Sequence, residues 1–228
     1  MVIRYITFIL LSVFTFSTSL YASTAAGVLP IFDDGTVLVG LEKRKDQHGA
    51  THYVWSDFGG KQDRNDKGDL AATALREGNE ESAYSLHLSY NAVANSPYVD
   101  HIHKVGSYRM YLVRVHGHKP SIQTIKQNAH RAIKKHGRRA HVEKIEWRYV
   151  DARQLLNAAN NNAPLPGTNQ QLFGPLKANL KKPVAQATLK KVGSGGRAPH
   201  KAPAPAHRGH KQTKKHPGKK HHGHKKHH

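Results

Sequence analysis

The 228-residue chain contains no cysteine. Disulfide staples, thiolate metal centres, cysteine nucleophiles and iron–sulfur clusters are excluded with it. Acid is scarce too: 15 Asp and Glu face 36 Lys and Arg, and none lies beyond Asp151. An acidic solvating protein is therefore ruled out. The cationic excess is uneven. The last 48 residues, 181–228, carry 14 of the Lys and Arg, so two-thirds of the net charge of +21 sits on about a fifth of the chain. The length suits one domain of ordinary size with appendages.

The amino terminus holds the one long apolar run. A short basic start ends at Arg4, no charge follows until Asp33, and the apolar heart spans Ile6–Phe16. This pattern is that of a secretory signal peptide over residues 1–22, cut after Ala22, with Ala25 and Ala26 as alternatives. Export to a periplasm or the medium follows, the alternative being a retained N-terminal membrane anchor. Beyond it the pattern turns to strands at Ala26–Phe32 and Thr36–Leu41, with Asp33-Asp-Gly35 as the turn. Tyr53–Phe58 leads into Gly59-Gly60. Asp69–Ala83 reads as a helix, Ser107–Val115 as a half-buried strand and Ser121–Lys135 as a basic helix. Lys144–Val150 is a further strand, and Asp151–Ala159 a helix with Asp151 as N-cap. Interleaved strands and helices define a mixed α/β (α+β) domain. From residue 181 to 228, Pro, Gly, Lys and His predominate, and a disordered basic tail is expected there.

Chemistry concentrates on the Asp69–Ala83 helix. Residues three and four apart share a helix face, so Glu77, Glu80 and Glu81 form one carboxylate cluster beside Arg76. An isolated helix would not choose such repulsion; a hard divalent cation reverses its sign. A solvated acidic face is the plain alternative.

The segment from Gly60 to Glu81 resembles the signature of the Nudix hydrolases: a Gly, a polar loop, then Arg-Glu-x-x-Glu-Glu on a helix. Arg76-Glu77 and Glu80-Glu81 match in place, Gly60 supplies the glycine, and Trp55–Lys61 is similar to the family's lead-in. There are departures. The loop is two residues longer than the family pattern, Gly68 stands where a Glu is usual with Asp69 one later as a substitute, Gly78 replaces an apolar residue, and Ala83 replaces a Gly. The resemblance implies an α/β/α sandwich, a mixed sheet between helices, over residues 25–175. It also implies hydrolysis of a pyrophosphate bond in a nucleoside diphosphate linked to another moiety. Glu77, Glu80, Glu81 and the Gly60 carbonyl would hold Mg²⁺, or Mn²⁺, Arg76 would orient the carboxylates, and Glu80 is the candidate base. Lys43 and Arg44, ending the second strand, are candidate substrate contacts. The rival is a Nudix-like protein without turnover that binds polyanions.

Three further features remain open. His101 with His103, and His116 with His118, alternate as strand-borne metal pairs would, or as exposed residues do. Lys126, Arg131, Lys134, Lys135, Arg138 and Arg139 form a basic block that lines a cleft, meets a polyanion or is simply solvated. The tail's charge suits nucleic acid, anionic lipid or polysaccharide, and its nine histidines from His200 onward suit transition metals.

Overall fold

The computed structural model of the chain describes residues 23–103, 106–137 and 141–195. The chain divides into two units, residues 1–197 and 198–228. The second unit and the expected signal peptide at 1–22 lie outside the described residues. Within the first, seven strands build one mixed sheet: β1 (Ser23–Phe32), β2 (Thr36–Lys45), β3 (Thr51–Ser56), β4 (Phe58–Lys61), β5 (Tyr98–His103), β6 (Gly106–Val115) and β7 (Lys144–Asp151). The helices are α1 (Leu70–Glu81), α2 (Tyr90–Ala94), α3 (Ile122–His136), α4 (Ala152–Asn160), α5 (Gly174–Leu180) and α6 (Pro183–Gly195).

Strand β1 is the spine. It runs parallel to β6 along nearly its whole length, and both of its faces are buried. Period-two alternation sends Leu29 and Ile31 to one core, and Ala26, Val28 and Phe32 to the other. Helices α4, α5 and α6 cover the first face; α1 and α3 cover the second. The architecture is thus a mixed sheet between two helical layers, as a strand buried on both sides requires.

One irregularity positions the site. β1 and β2 pair at a single register position, Ile31 with Val37. From there β2 takes β3 and β7 as neighbours, while β1 takes β4. The sheet forks, and Asp57 is the one residue between β3 and β4, where the chain crosses from one branch to the other.

Helix α1 is opened by Asp69, the acidic N-cap candidate of the sequence, which accepts from the Ala71 and Ala72 N–H groups, and it ends at Glu81, two residues short of Ala83. Gly78, a helix-weakening choice in sequence, has a packing reason. A Cβ there would meet the Val28 and Leu88 side chains at 2.6 and 2.9 Å, so the glycine lets α1 press onto β1.

The tail boundary needs correcting. Residues 183–195, expected to be disordered, form α6, with Ala185, Leu189 and Val192 buried in the core. Their i, i+4, i+7 spacing is one apolar helical stripe, and the intervening lysines stay exposed. The folded domain therefore extends past residue 175 to Gly195; residues 196–228 lie outside the described residues. Truncation after Leu180 is accordingly expected to destabilise the domain by about 4 kcal/mol, from the two large side chains it strips out. A urea midpoint unchanged from the full chain would refute this.

Candidate active site

Arg76 is the hub of the loop–helix segment. Its Nε and Nη2 donate to the two oxygens of Asp66 at 3.2 and 3.0 Å. Nη1 reaches Glu77 Oε1 at 2.7 Å and Glu80 Oε2 at 3.2 Å, and Nη2 also donates to the Lys61 carbonyl at 2.9 Å. One guanidinium thus gathers three carboxylates and the carbonyl that ends β4, in the forked geometry only Arg offers. Burial opposes the charge on Arg76, yet the Asp66 and Glu77 partners hold its pKa above the ordinary value.

Asp66 was not among the residues singled out from sequence. Its Oδ2 accepts from the Asp63 N–H and the Thr73 hydroxyl as well as from Arg76. Those donors outweigh its burial and hold its pKa below the usual carboxylate range. Asp69, proposed from sequence as the substitute for the missing Glu, is instead the α1 cap and accepts from the Tyr90 hydroxyl. The signal for Asp66 was present. Counted forward from Gly60, Asp66 stands where the family pattern has its Glu, and the two extra residues fall after it. Ala83, where that pattern has Gly, adopts φ 51°, the left-handed region that favours glycine.

Glu77 and Glu80 face Arg76, but Glu81 turns elsewhere. It is 2% exposed; Oε2 accepts from the Gly59 N–H at 2.8 Å, and Oε1 lies 3.2 Å from Lys144 Nζ. Lys144, also buried, donates to Glu42 Oε2 and Ser56 Oγ, both at 2.7 Å. Burial pushes Glu81 up to about 8 against the pull of Lys144. Among the described residues no three His, Asp or Glu side chains are gathered as a metal-ligand set. The donor chemistry still suits a hard cation on the Arg76 side, where Asp66, Glu77 and Glu80 share one positive charge. Gly60 fits as well: a Cβ on it would collide with the Glu77 carboxylate, so the glycine admits that carboxylate against the loop.

A cleft of about 230 Å³ opens at the fork of the sheet, beside Gly59–Lys61. Arg44 lines it, held by Glu42 at 2.7 Å and stacked 4.6 Å from the Phe173 ring centroid. Lys43 does not line it. Adjacent strand residues point to opposite faces, and Lys43 is exposed. Phe173 arrives on a segment pinned to β3 through Trp55, which bridges to Leu172 and whose carbonyl accepts from the Phe173 N–H. Asp57 and Tyr108 complete the floor, with the Tyr108 hydroxyl donating to Asp57 Oδ2. Burial pushes Asp57 up to about 6.

The remaining candidates that the structure describes do not line this cleft. His116 contacts Asp33 at 3.1 Å, and His116 and His118 border a different depression against Thr124 and Asn128. The side chain of His103 and residues Arg138 and Arg139 lie outside the described residues. Lys126, Arg131, Lys134 and Lys135 are exposed on α3 and do not line the cleft.

No family model and no curated protein matches the sequence. Among solved structures, the chain is similar to a C. elegans Ap4A hydrolase, crystallised as a binary complex. The two are 14% identical with a TM-score of 0.40, over 73% of this chain and 97% of that one. The solution structure of the E. coli ORF135 protein is similar at 14% identity and a TM-score of 0.34, covering 69% and 89% respectively.

Proposed function

We propose that the chain is a divalent-metal-dependent hydrolase of the Nudix kind, cleaving a pyrophosphate bond in a nucleoside diphosphate linked to another moiety. The observation that carries the reading is the Arg76 hub, which holds Glu77 and Glu80 beside Gly60 and supplies, in Asp66, the acid that the sequence pattern lacks. Glu77 and Glu80 would hold Mg²⁺, or Mn²⁺, with the Gly60 carbonyl as a further donor; Glu81, engaged by Gly59 and Lys144, has the weaker claim. The ion supplies charge neutralisation at phosphoryl oxygens and acidification of the attacking water. Arg76 keeps the carboxylates apart and aimed without itself meeting substrate. Glu80, less buried than Glu81 and held by one 3.2 Å bond, is the group freest to take a proton. Arg44 offers a fixed positive charge to a phosphate entering the cleft.

The test is phosphatase-coupled phosphate release from a panel of nucleoside diphosphate derivatives with Mg²⁺. Glu77→Gln and Glu80→Gln are each expected to lower kcat/KM by at least about 100-fold. Equal rates in all three proteins would remove the carboxylates from the mechanism. A wild type inactive on the whole panel would leave the binding protein as the better reading.

In this reading the leader at 1–22 makes the enzyme an exported one, periplasmic or secreted, and the tail supplies a second, electrostatic attachment. Residues 198–228 carry nine Lys and Arg, nine His and no acid. Ending the chain after Arg197 is expected to abolish salt-sensitive heparin retention and to spare hydrolysis. Retention that survives the cut would assign it to the domain.

A further inference from the structure

The cleft floor contains a polar device that hydrolysis does not use. Asp57 is 3% exposed yet lines the cleft at the fork of the sheet. Its Oδ2 accepts from the Tyr108 hydroxyl, its own backbone N–H also favours the carboxylate, and Tyr108 is the one side-chain donor to it among the described residues. The phenol reaches it because two side chains are missing: a Cβ on Gly27 or on Gly59 would collide with the Tyr108 hydroxyl oxygen. Two glycines on neighbouring strands and a tyrosine on a third therefore fix one buried carboxylate. An ionised carboxylate only accepts hydrogen bonds, so what it meets in the cleft must donate.

The cleft also has a flat wall. Arg44, with 41% of its side chain exposed, lies against Phe173, and both border the same space as Asp57. A guanidinium on an aromatic ring presents a surface on which a planar heterocycle stacks.

We propose that Asp57, held by Tyr108, is the specificity-determining acceptor for the base of the substrate, and that the cleft takes bases with an exocyclic amine over their keto counterparts. The proposal rests on the reading of the substrate as a nucleotide derivative. An amine donates to Asp57; a carbonyl in its place sets oxygen lone pairs against the carboxylate. Tyr108 is a positioning residue, acting only through Asp57.

The test needs no turnover. Nucleoside 5′-monophosphates are titrated calorimetrically into the full-length protein in EDTA, comparing AMP with IMP and CMP with UMP. The wild type is expected to bind the amino member of each pair at least about tenfold more tightly. In Asp57→Asn the amide carbonyl keeps the Tyr108 hydroxyl and the NH₂ faces the ligand, so the preference falls to parity or inverts. Tyr108→Phe weakens the discrimination without inverting it. Equal wild-type affinities within both pairs, no measurable binding of any monophosphate, or a wild-type ratio retained by Asp57→Asn would each overturn the assignment. The wild-type comparison stands even where a variant fails to fold. Wild-type hydrolysis of the nucleoside diphosphate panel, set beside wild-type discrimination, separates the two readings. Discrimination without hydrolysis in the wild type sinks the hydrolase and keeps the base site; hydrolysis without discrimination does the reverse.

Discussion

Lys144→Met is expected to destabilise the fold by about 3–5 kcal/mol, because it removes the buried ammonium that Glu42, Glu81 and Ser56 share. Lys144 Nζ lies 2.7 Å from Glu42, 3.2 Å from Glu81 and 2.7 Å from the Ser56 hydroxyl, and its side chain is 1% exposed. Its methylenes lie over Gly40, where a Cβ would meet Cγ and Cδ at 2.7 Å. Methionine refills that apolar space but brings no charge. Glu42 retains Arg44, whereas Glu81 retains only the Gly59 N–H. The register of β2 and β7 sets Glu42 directly across from Lys144, so the pair cannot separate without breaking the sheet. Urea unfolding measures the loss as a shift in midpoint at constant slope. Adding Glu81→Gln to Lys144→Met is expected to recover part of it, since a neutral amide costs less to bury. A loss below about 1 kcal/mol would show that these charges are solvated and that the cluster does not hold the fork together.

Asp66→Ala is expected to cost about 2–3 kcal/mol of stability, and hydrolysis by about 100-fold or more. Three donors lose their acceptor: the Asp63 N–H, the Thr73 hydroxyl and the Arg76 fork. The kinetic effect is the more telling. Freed from Asp66, the guanidinium can settle on Glu77 and Glu80, neutralising the carboxylates proposed to hold the metal. Asp69→Ala is the control. It removes the α1 cap, worth about 1 kcal/mol, and leaves every Arg76 contact in place. If Asp69→Ala abolished hydrolysis and Asp66→Ala did not, the two acids would have to exchange roles.

Helix α1 was legible because Arg76, Glu77 and Glu80 lie within one turn and an N-cap precedes them, both local facts. Asp66 is equally local, but the two extra loop residues lie between it and Arg76, so it stands in register with Gly60 and out of register with the helix. Lys43 and Arg44 were expected together as substrate contacts, but strand alternation sets them on opposite faces, and only Arg44 lines the cleft. Helix α6 was obscured by composition: four lysines and two glycines between residues 181 and 195 masked the stripe of Ala185, Leu189 and Val192. The cleft floor was beyond reach in a different way. Glu42, Asp57, Tyr108 and Lys144 come from β2, the β3–β4 crossing, β6 and β7, and only non-local strand pairing brings them together. Gly27 and Gly59 likewise show their role only through the Tyr108 hydroxyl, which a Cβ on either would meet.

The segment that carries Phe173 has a consequence for the order in which the protein is made. The strands, the Arg76 hub and the Lys144 cluster are all encoded by Asp151, but the cleft lacks a wall until residues 172–175 dock on Trp55. The core beneath it lacks Ala185, Leu189 and Val192 until α6 follows. A chain emerging amino terminus first, from a ribosome or through a membrane pore, thus carries its acidic helix well before it can enclose a ligand. A product stopped before residues 172–175 holds the carboxylates without the means to choose what reaches them.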